Sequence, residues 1–121
     1  MDFDTNRPIF QQIADRMLSL ILQGKWPTGE RIPSVRDMAV QFEVNPNTVM
    51  RSYTHLQELE IIFNKRGVGY FVSIDGAKNV LKVQREEFLN RDLPQLLEKM
   101  ESLQMSVEEL VILLNKQKSK K

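Results

Sequence analysis

The sequence has no cysteine and a single histidine, His55, and these two scarcities remove a large part of protein chemistry. Without thiols there is no disulfide framework and no thiolate site for zinc or an iron–sulfur cluster. One imidazole excludes any site built from several. An excess of one charge is also lacking: 17 Lys and Arg against 16 Asp and Glu leave a net +1, so any surface for nucleic acid must be a local patch. No apolar run approaches the ~18 residues of a membrane span. The first residues, Met1-Asp2-Phe3-Asp4, are acidic where a secretory or transit peptide is basic. The expectation is a soluble, cytoplasmic protein with no membrane partner. Catalytic signatures are missing as well. There is no phosphate loop, no G-x-G-x-x-G after a strand and no nucleophile–histidine arrangement. Glu86-Glu87 and Glu108-Glu109 fall on expected helix surfaces, the ordinary place for solvated carboxylates. Nothing argues for an enzyme, a metal site or a cofactor.

What is present suffices for a core. The 121 residues are 41% hydrophobic, enough for one small domain with an accessory segment. All five glycines lie within the first 76 residues, and the remainder consists of helix formers broken only by Pro94. The expected division is a punctuated domain over residues 1–74 and a helical segment over 75–121, with a frayed Lys-rich tail from Lys116. Pro8 suits the first position of a helix whose apolar residues are Ile9, Ile13, Met17, Leu20 and Ile21. Gly24 and Pro27 end it. The loop that follows has room for one short extended piece near Arg31 and Ile32. Ser34 with Asp37 caps a short helix through Val35, Met38, Ala39 and Phe42. Asn45-Pro46 then supplies a cap and a first-turn proline for another, with Val49, Tyr53 and Leu56 as its buried stripe.

Two short helices joined through Val44 form a helix-turn-helix pattern. Ile61-Ile62-Phe63 and Tyr70-Phe71-Val72 then flank Asn64-Lys65-Arg66-Gly67-Val68-Gly69, whose two glycines argue for a hairpin. The expected fold class is therefore mainly α with a small β-hairpin: a winged helix-turn-helix domain followed by a short helical dimerisation segment. In that segment Leu89, Leu93, Leu96, Leu97, Met100 and Leu103 make one narrow stripe. A kink or restart is expected near Asp92 because of Pro94. Ser106 and Glu109 cap a last helix carrying Leu110 and Leu114 on one face. A ~70-residue winged helix buries a modest core, so these stripes are read as a homodimer interface.

The second helix of the pair carries the functional pattern. Advancing ~100° per residue from Val49 turns Asn47, Arg51, Thr54 and His55 away from the core, and no acidic residue occurs from Val44 to Gln57. Such a face suits a phosphate-lined groove, where amides and guanidinium groups pair with base edges. Arg36 either pairs with Asp37 or Glu30, or meets DNA from its helix N-terminus. Lys65 and Arg66 are either an ordinary solvated turn or a wing tip on the adjacent backbone or minor groove. A competing reading is a winged helix used to dock a protein. Such a module would place acids or apolar residues on the exposed helix face and omit the Lys-Arg tip.

Three segments taken together resemble a known family: Pro27-x-Gly29-x-Arg31-Ile32-Pro33-Ser34-Val35-Arg36-Asp37-Met38-Ala39, Val44-Asn45-Pro46-Asn47-Thr48-Val49, and Arg66-Gly67-Val68-Gly69-Tyr70-Phe71-Val72. Their order and register over residues 8–73 are similar to the winged-helix domain of GntR-type bacterial regulators. The Asn-Pro-Asn-Thr-Val variant resembles the YtrA-like subfamily. The resemblance implies a transcriptional regulator, as a rule a repressor, that binds a palindromic double-stranded DNA operator as a homodimer. It carries DNA contacts over to Ser34, Arg36, Asn45, Asn47, Thr48, Lys65, Arg66 and Gly67; Arg51 is added from the helical wheel alone. It assigns no small-molecule effector. Two positions depart from the family pattern. Glu60 stands where glycine usually follows the recognition helix, which predicts a different cap, and Met50 stands where many members carry a DNA-contacting arginine.

Overall fold

The computed structural model describes Phe3 and residues 6–120, so residues 1, 2, 4, 5 and 121 lie outside the described residues. Three helices, α1 (Ile9–Leu22), α2 (Val35–Phe42) and α3 (Pro46–Glu58), precede a hairpin of β1 (Ile62–Lys65) and β2 (Gly69–Val72). Then come α4 (Gly76–Glu87), a π-helical turn (Phe88–Asp92), α5 (Leu93–Ser102) and α6 (Val107–Ser119). The chain divides into two compact units, up to Val83 and from Gln84 onward.

Local chemistry sets the helix starts. The Ser34 hydroxyl accepts from the Asp37 backbone N–H at 3.1 Å, the Asn45 side-chain oxygen from Asn47 at 2.8 Å, and the Ser106 hydroxyl from Glu109 at 3.1 Å. Each satisfies an N–H that has no partner inside its helix. Pro8 stands one place earlier than its expected first-turn position, as the residue capping α1.

The helix ends share one device. After α1, α2, α3 and α5 the chain takes a left-handed residue, and two backbone bonds close the last turn as a Schellman motif. At α3 these are Ile61 N–H to Leu56 O, 3.0 Å, and Glu60 N–H to Gln57 O, 2.9 Å. Glycine fills the left-handed position only after α1, at Gly24; elsewhere it is Glu43 (φ 56°), Glu60 (φ 59°) and Gln104 (φ 54°). The different cap expected from Glu60 is therefore not formed. Glutamate adopts the glycine conformation because the two hydrogen bonds and the burial of both Leu56 and Ile61 require it.

The core of the first unit gathers Ile13, Met17 and Ile21 of α1, Met38 and Phe42 of α2, and Val49, Tyr53 and Leu56 of α3, closed by Ile61, Ile62 and Val72. α3 packs on α1, on α2 and on β1. The hairpin is antiparallel, with Ile62 opposite Val72 and Lys65 opposite Gly69. The expected extended piece before α2 is a third edge strand in all but length. Arg31 bridges Phe71, Ile32 N–H donates to Tyr70 O at 2.9 Å, and Val72 N–H donates to Glu30 O at 3.0 Å.

The first unit ends later than the expected residue 74. α4 begins on Gly76, where an added Cβ would lie 2.7 Å from a Val72 methyl and 3.0 Å from the Ile61 carbonyl oxygen. This close approach brings Val80, 0% exposed, into the same core. Asn79 adds a side-chain bond to the Glu60 carbonyl at 2.9 Å. In the second unit the interruption near Asp92 takes the form of the π-helical turn. Pro94, near the start of α5, has no N–H and cannot tolerate a regular α-helical carbonyl four residues earlier. The wider turn accommodates both problems. α6 runs on through Lys116 and Lys118 to Ser119, so the tail expected to fray is helical over those residues, and Lys121 lies outside the described residues.

Candidate nucleic-acid interface

α3 is fixed from behind. Ser52, fully buried, donates its hydroxyl to the Phe10 carbonyl of α1 at 2.7 Å. Tyr53, also buried, donates to the Pro33 carbonyl at 2.5 Å, just ahead of the α2 cap. Burial pushes the Tyr53 phenol well above its usual range, with Tyr70 and Asp37 adding to the effect. The hydroxyl therefore stays a proton donor across the physiological range.

The opposite face of α3 is exposed at Asn45, Asn47, Met50, Arg51 and Thr54, while Thr48 and His55 are half-buried. Its first turn carries no acid. The Asn45 side-chain oxygen is committed to the cap, so outward it offers only its amide N–H groups. Among the described residues, neither function of the Asn47 side chain is bonded within the protein. Neighbouring residues diverge to the two sides of this face. Arg51 places its guanidinium 4.1 Å from the centre of the Phe10 ring, on the α1 side. That ring also meets the edge of His55 at 6.2 Å. Met50 turns to the hairpin, where the Tyr70 hydroxyl donates to its Sδ at 3.7 Å.

At the start of α2, Ser34 accepts from the backbone through its oxygen and still has its own O–H to donate. Arg36 is exposed and, among the described residues, pairs with neither Asp37 nor Glu30. At the hairpin tip Lys65 and Arg66 are likewise exposed and unpaired. Val68 N–H returns to Lys65 O at 2.9 Å, forming a turn whose third residue, Gly67, has φ 78°. That value calls for glycine.

A fifth cation, outside the four in the candidate set, sits here. Arg31 lies along the hairpin so closely that a Cβ on Gly69 would be 2.7 Å from its Nε. Its signal was Gly69 itself, since a strand glycine marks the close approach of another group. The pinning of Met50 by Tyr70 was likewise invisible, because it joins positions on different elements.

In the second unit Leu89, Leu93, Leu96, Leu97, Leu103 and Leu114 are exposed, and Leu110 is half-buried. Met100 is the exception in the expected stripe, buried at 6% exposure. The Schellman turn after α5 folds the Met105 N–H back onto the Met100 carbonyl at 2.9 Å. α6 is apolar from Leu110 through Leu114, and none of its residues is buried.

The profile of bacterial regulatory proteins of the gntR family matches residues 9–72. The HTH-type transcriptional repressor YtrA of Bacillus subtilis is 35% identical over 97 residues, which is 80% of this chain and 74% of that one. The HTH-type transcriptional regulator YhcF of the same organism is 39% identical over 71 residues, or 59% of each chain. That match thus spans less than two thirds of YhcF. Among solved structures, a GntR-family protein from Bacteroides thetaiotaomicron superposes with a TM-score of 0.82 at 38% identity, covering 93% of this chain and 97% of that one.

Proposed function

This chain belongs to the GntR family of bacterial regulatory proteins, with a winged helix-turn-helix of the YtrA type, and from that premise we propose that it is a cytoplasmic transcriptional repressor that binds a palindromic DNA operator as a homodimer. One observation carries the reading. The exposed face of α3 from Asn45 to Thr54 is free of acids, and it lies in the same unit as three exposed cations, Arg36, Lys65 and Arg66, that form no ion pair among the described residues. A protein-docking winged helix has no need of that combination.

In this reading Asn47, in the first turn of α3, pairs with a base edge in the major groove, as side chains there do in helix-turn-helix proteins. The Ser34 O–H, the Asn45 amide, Thr48 and Arg36 hold phosphates, and Lys65, Arg66 and the Gly67 backbone anchor the wing. Arg51, seated on Phe10, reaches the phosphate backbone on the α1 side. The exposed leucines of the second unit are the surface for a second copy. A helix apolar over five successive residues, with none of them buried, needs a partner surface.

Selection of bound sequences from random duplex DNA tests this directly. The expected result is an enriched palindrome, bound with a clearly negative slope of log affinity against log salt. No enrichment, or affinity that is flat across a salt titration, would overturn the reading in favour of a protein-docking module.

A further inference from the structure

We propose that Met50 reads the C5-methyl group of a thymine, making it a specificity determinant of this protein; the inference rests on the DNA-binding reading above. Met50 lies one helical turn after Asn47 and one before Thr54, and it is 43% exposed on the acid-free face of α3. It is the only large apolar side chain exposed on that helix. The cation that could have served there is engaged elsewhere, because Arg51 rests on Phe10.

A methionine on a free surface would sample many rotamers, since it has three soft torsions. This one is held. The Tyr70 hydroxyl donates to its sulfur at 3.7 Å, and the Tyr70 ring stands edge-on to Tyr53 at 4.8 Å and 82°. Tyr53 is itself anchored to the Pro33 carbonyl. With its weak acceptor used, the side chain presents a methyl group and its neighbouring carbon to whatever docks on α3. In the major groove the thymine methyl is the apolar group on a base edge. Guanine, adenine and cytosine instead present donors or acceptors that a thioether leaves unsatisfied.

The experiment uses the full chain and the duplex enriched from the random pool. Each thymine is replaced in turn by deoxyuridine, which removes the C5-methyl and nothing else. One thymine per half-site should show about a fourfold loss of affinity on replacement, the factor expected for one buried methyl group. Met50→Ala and Met50→Gln should bind the thymine and deoxyuridine duplexes equally. Both are good helix formers at an exposed site, so folding is preserved. Tyr70→Phe keeps the ring packing and loses the hydroxyl; it should shrink the deoxyuridine penalty while leaving the Asn47-dependent preference intact. Wild-type indifference to deoxyuridine at every thymine overturns the proposal, as does a penalty that survives Met50→Ala. Failure to enrich any duplex would instead refute the DNA-binding reading itself.

Discussion

Replacing Glu60 by glycine should make this protein more stable, although it deletes a whole side chain. Glu60 occupies the left-handed position after α3 at φ 59°, where a non-glycine residue is disfavoured by roughly 1–2 kcal/mol. Its side chain is exposed and forms no ion pair among the described residues. The bonds that matter at this turn are made by its backbone: its N–H to Gln57 O, and its carbonyl from the Asn79 amide at 2.9 Å. All of them survive the substitution. Glycine also gains freedom in the unfolded chain, which subtracts about 0.4–1 kcal/mol. The net expectation is about 0.5–1 kcal/mol of stabilisation, or roughly 2–8 °C in Tm for a domain of this size.

Charge must be separated from conformation, because a carboxylate at a helix C-terminus opposes the helix dipole. Glu60→Ala supplies that control: it removes the charge and keeps the strained Cβ. Urea unfolding of the three proteins, with Tm from calorimetry, measures the difference between the glycine and alanine variants. A glycine variant no more stable than the alanine variant would refute the claim that backbone strain resides at this turn. Glu43→Gly after α2, at φ 56°, should repeat the gain.

Three further outcomes are expected. Asn47→Ala should flatten base preference at one or two operator positions, whereas Lys65→Ala should weaken all duplexes alike and make the salt slope shallower by about one per lost contact, both read from binding to single-base operator variants at two salt concentrations. A chain ending at Val83 should fold as a monomer that binds operator weakly, whereas one ending at Ile74 should lose about 1.5–3 kcal/mol of stability with the buried Val80; equal urea midpoints for the two truncations would contradict this. Because the Tyr53 phenol is pushed above its ordinary value of 10.0, the stability it supports is complete below pH 10 and declines as the unfolded chain ionises at higher pH, and Tyr53→Phe should flatten that alkaline decline.

What was legible in the sequence was what local chemistry decides. Asn45-Pro46 and Ser34 with Asp37 specify helix starts through bonds spanning two or three residues, and α3 and α2 begin where those pairs predict. The hairpin followed from its glycines, although its strands run further toward the tip than the apolar runs, with Lys65 and Gly69 still paired. What was hidden depends on distant residues. The first unit takes in Val80 because Gly76 allows α4 to approach Val72, a fact of packing that no composition shift marks. Met100 has the same spacing as the exposed leucines, yet it is buried where they are not. Met50 and Arg51 are consecutive in sequence and about 100° apart around the helix, and Tyr70 and Phe10 hold them on opposite sides of the face.

That divergence shows how the candidate interface is built. Positions 50–53 make one turn of α3, and they divide into two pairs with different tasks. Ser52 and Tyr53 are buried and bonded to α1 and to the strand-like segment before α2. Met50 and Arg51 are exposed, yet each touches a ring supplied by another element. Phe10 therefore serves the helix twice, through its carbonyl to Ser52 and through its ring to Arg51. Tyr70 joins Met50 to the core through Tyr53. The side chains proposed to meet DNA on either side of Asn47 are thus oriented by the residues that hold the helix in place. On the proposed reading a sequence can keep this fold while changing its operator by altering Met50, which lies outside the buried core. Ser52 and Tyr53 are tied to the elements that supply those rings, Ser52 to Phe10 beneath Arg51 and Tyr53 to Tyr70 beside Met50.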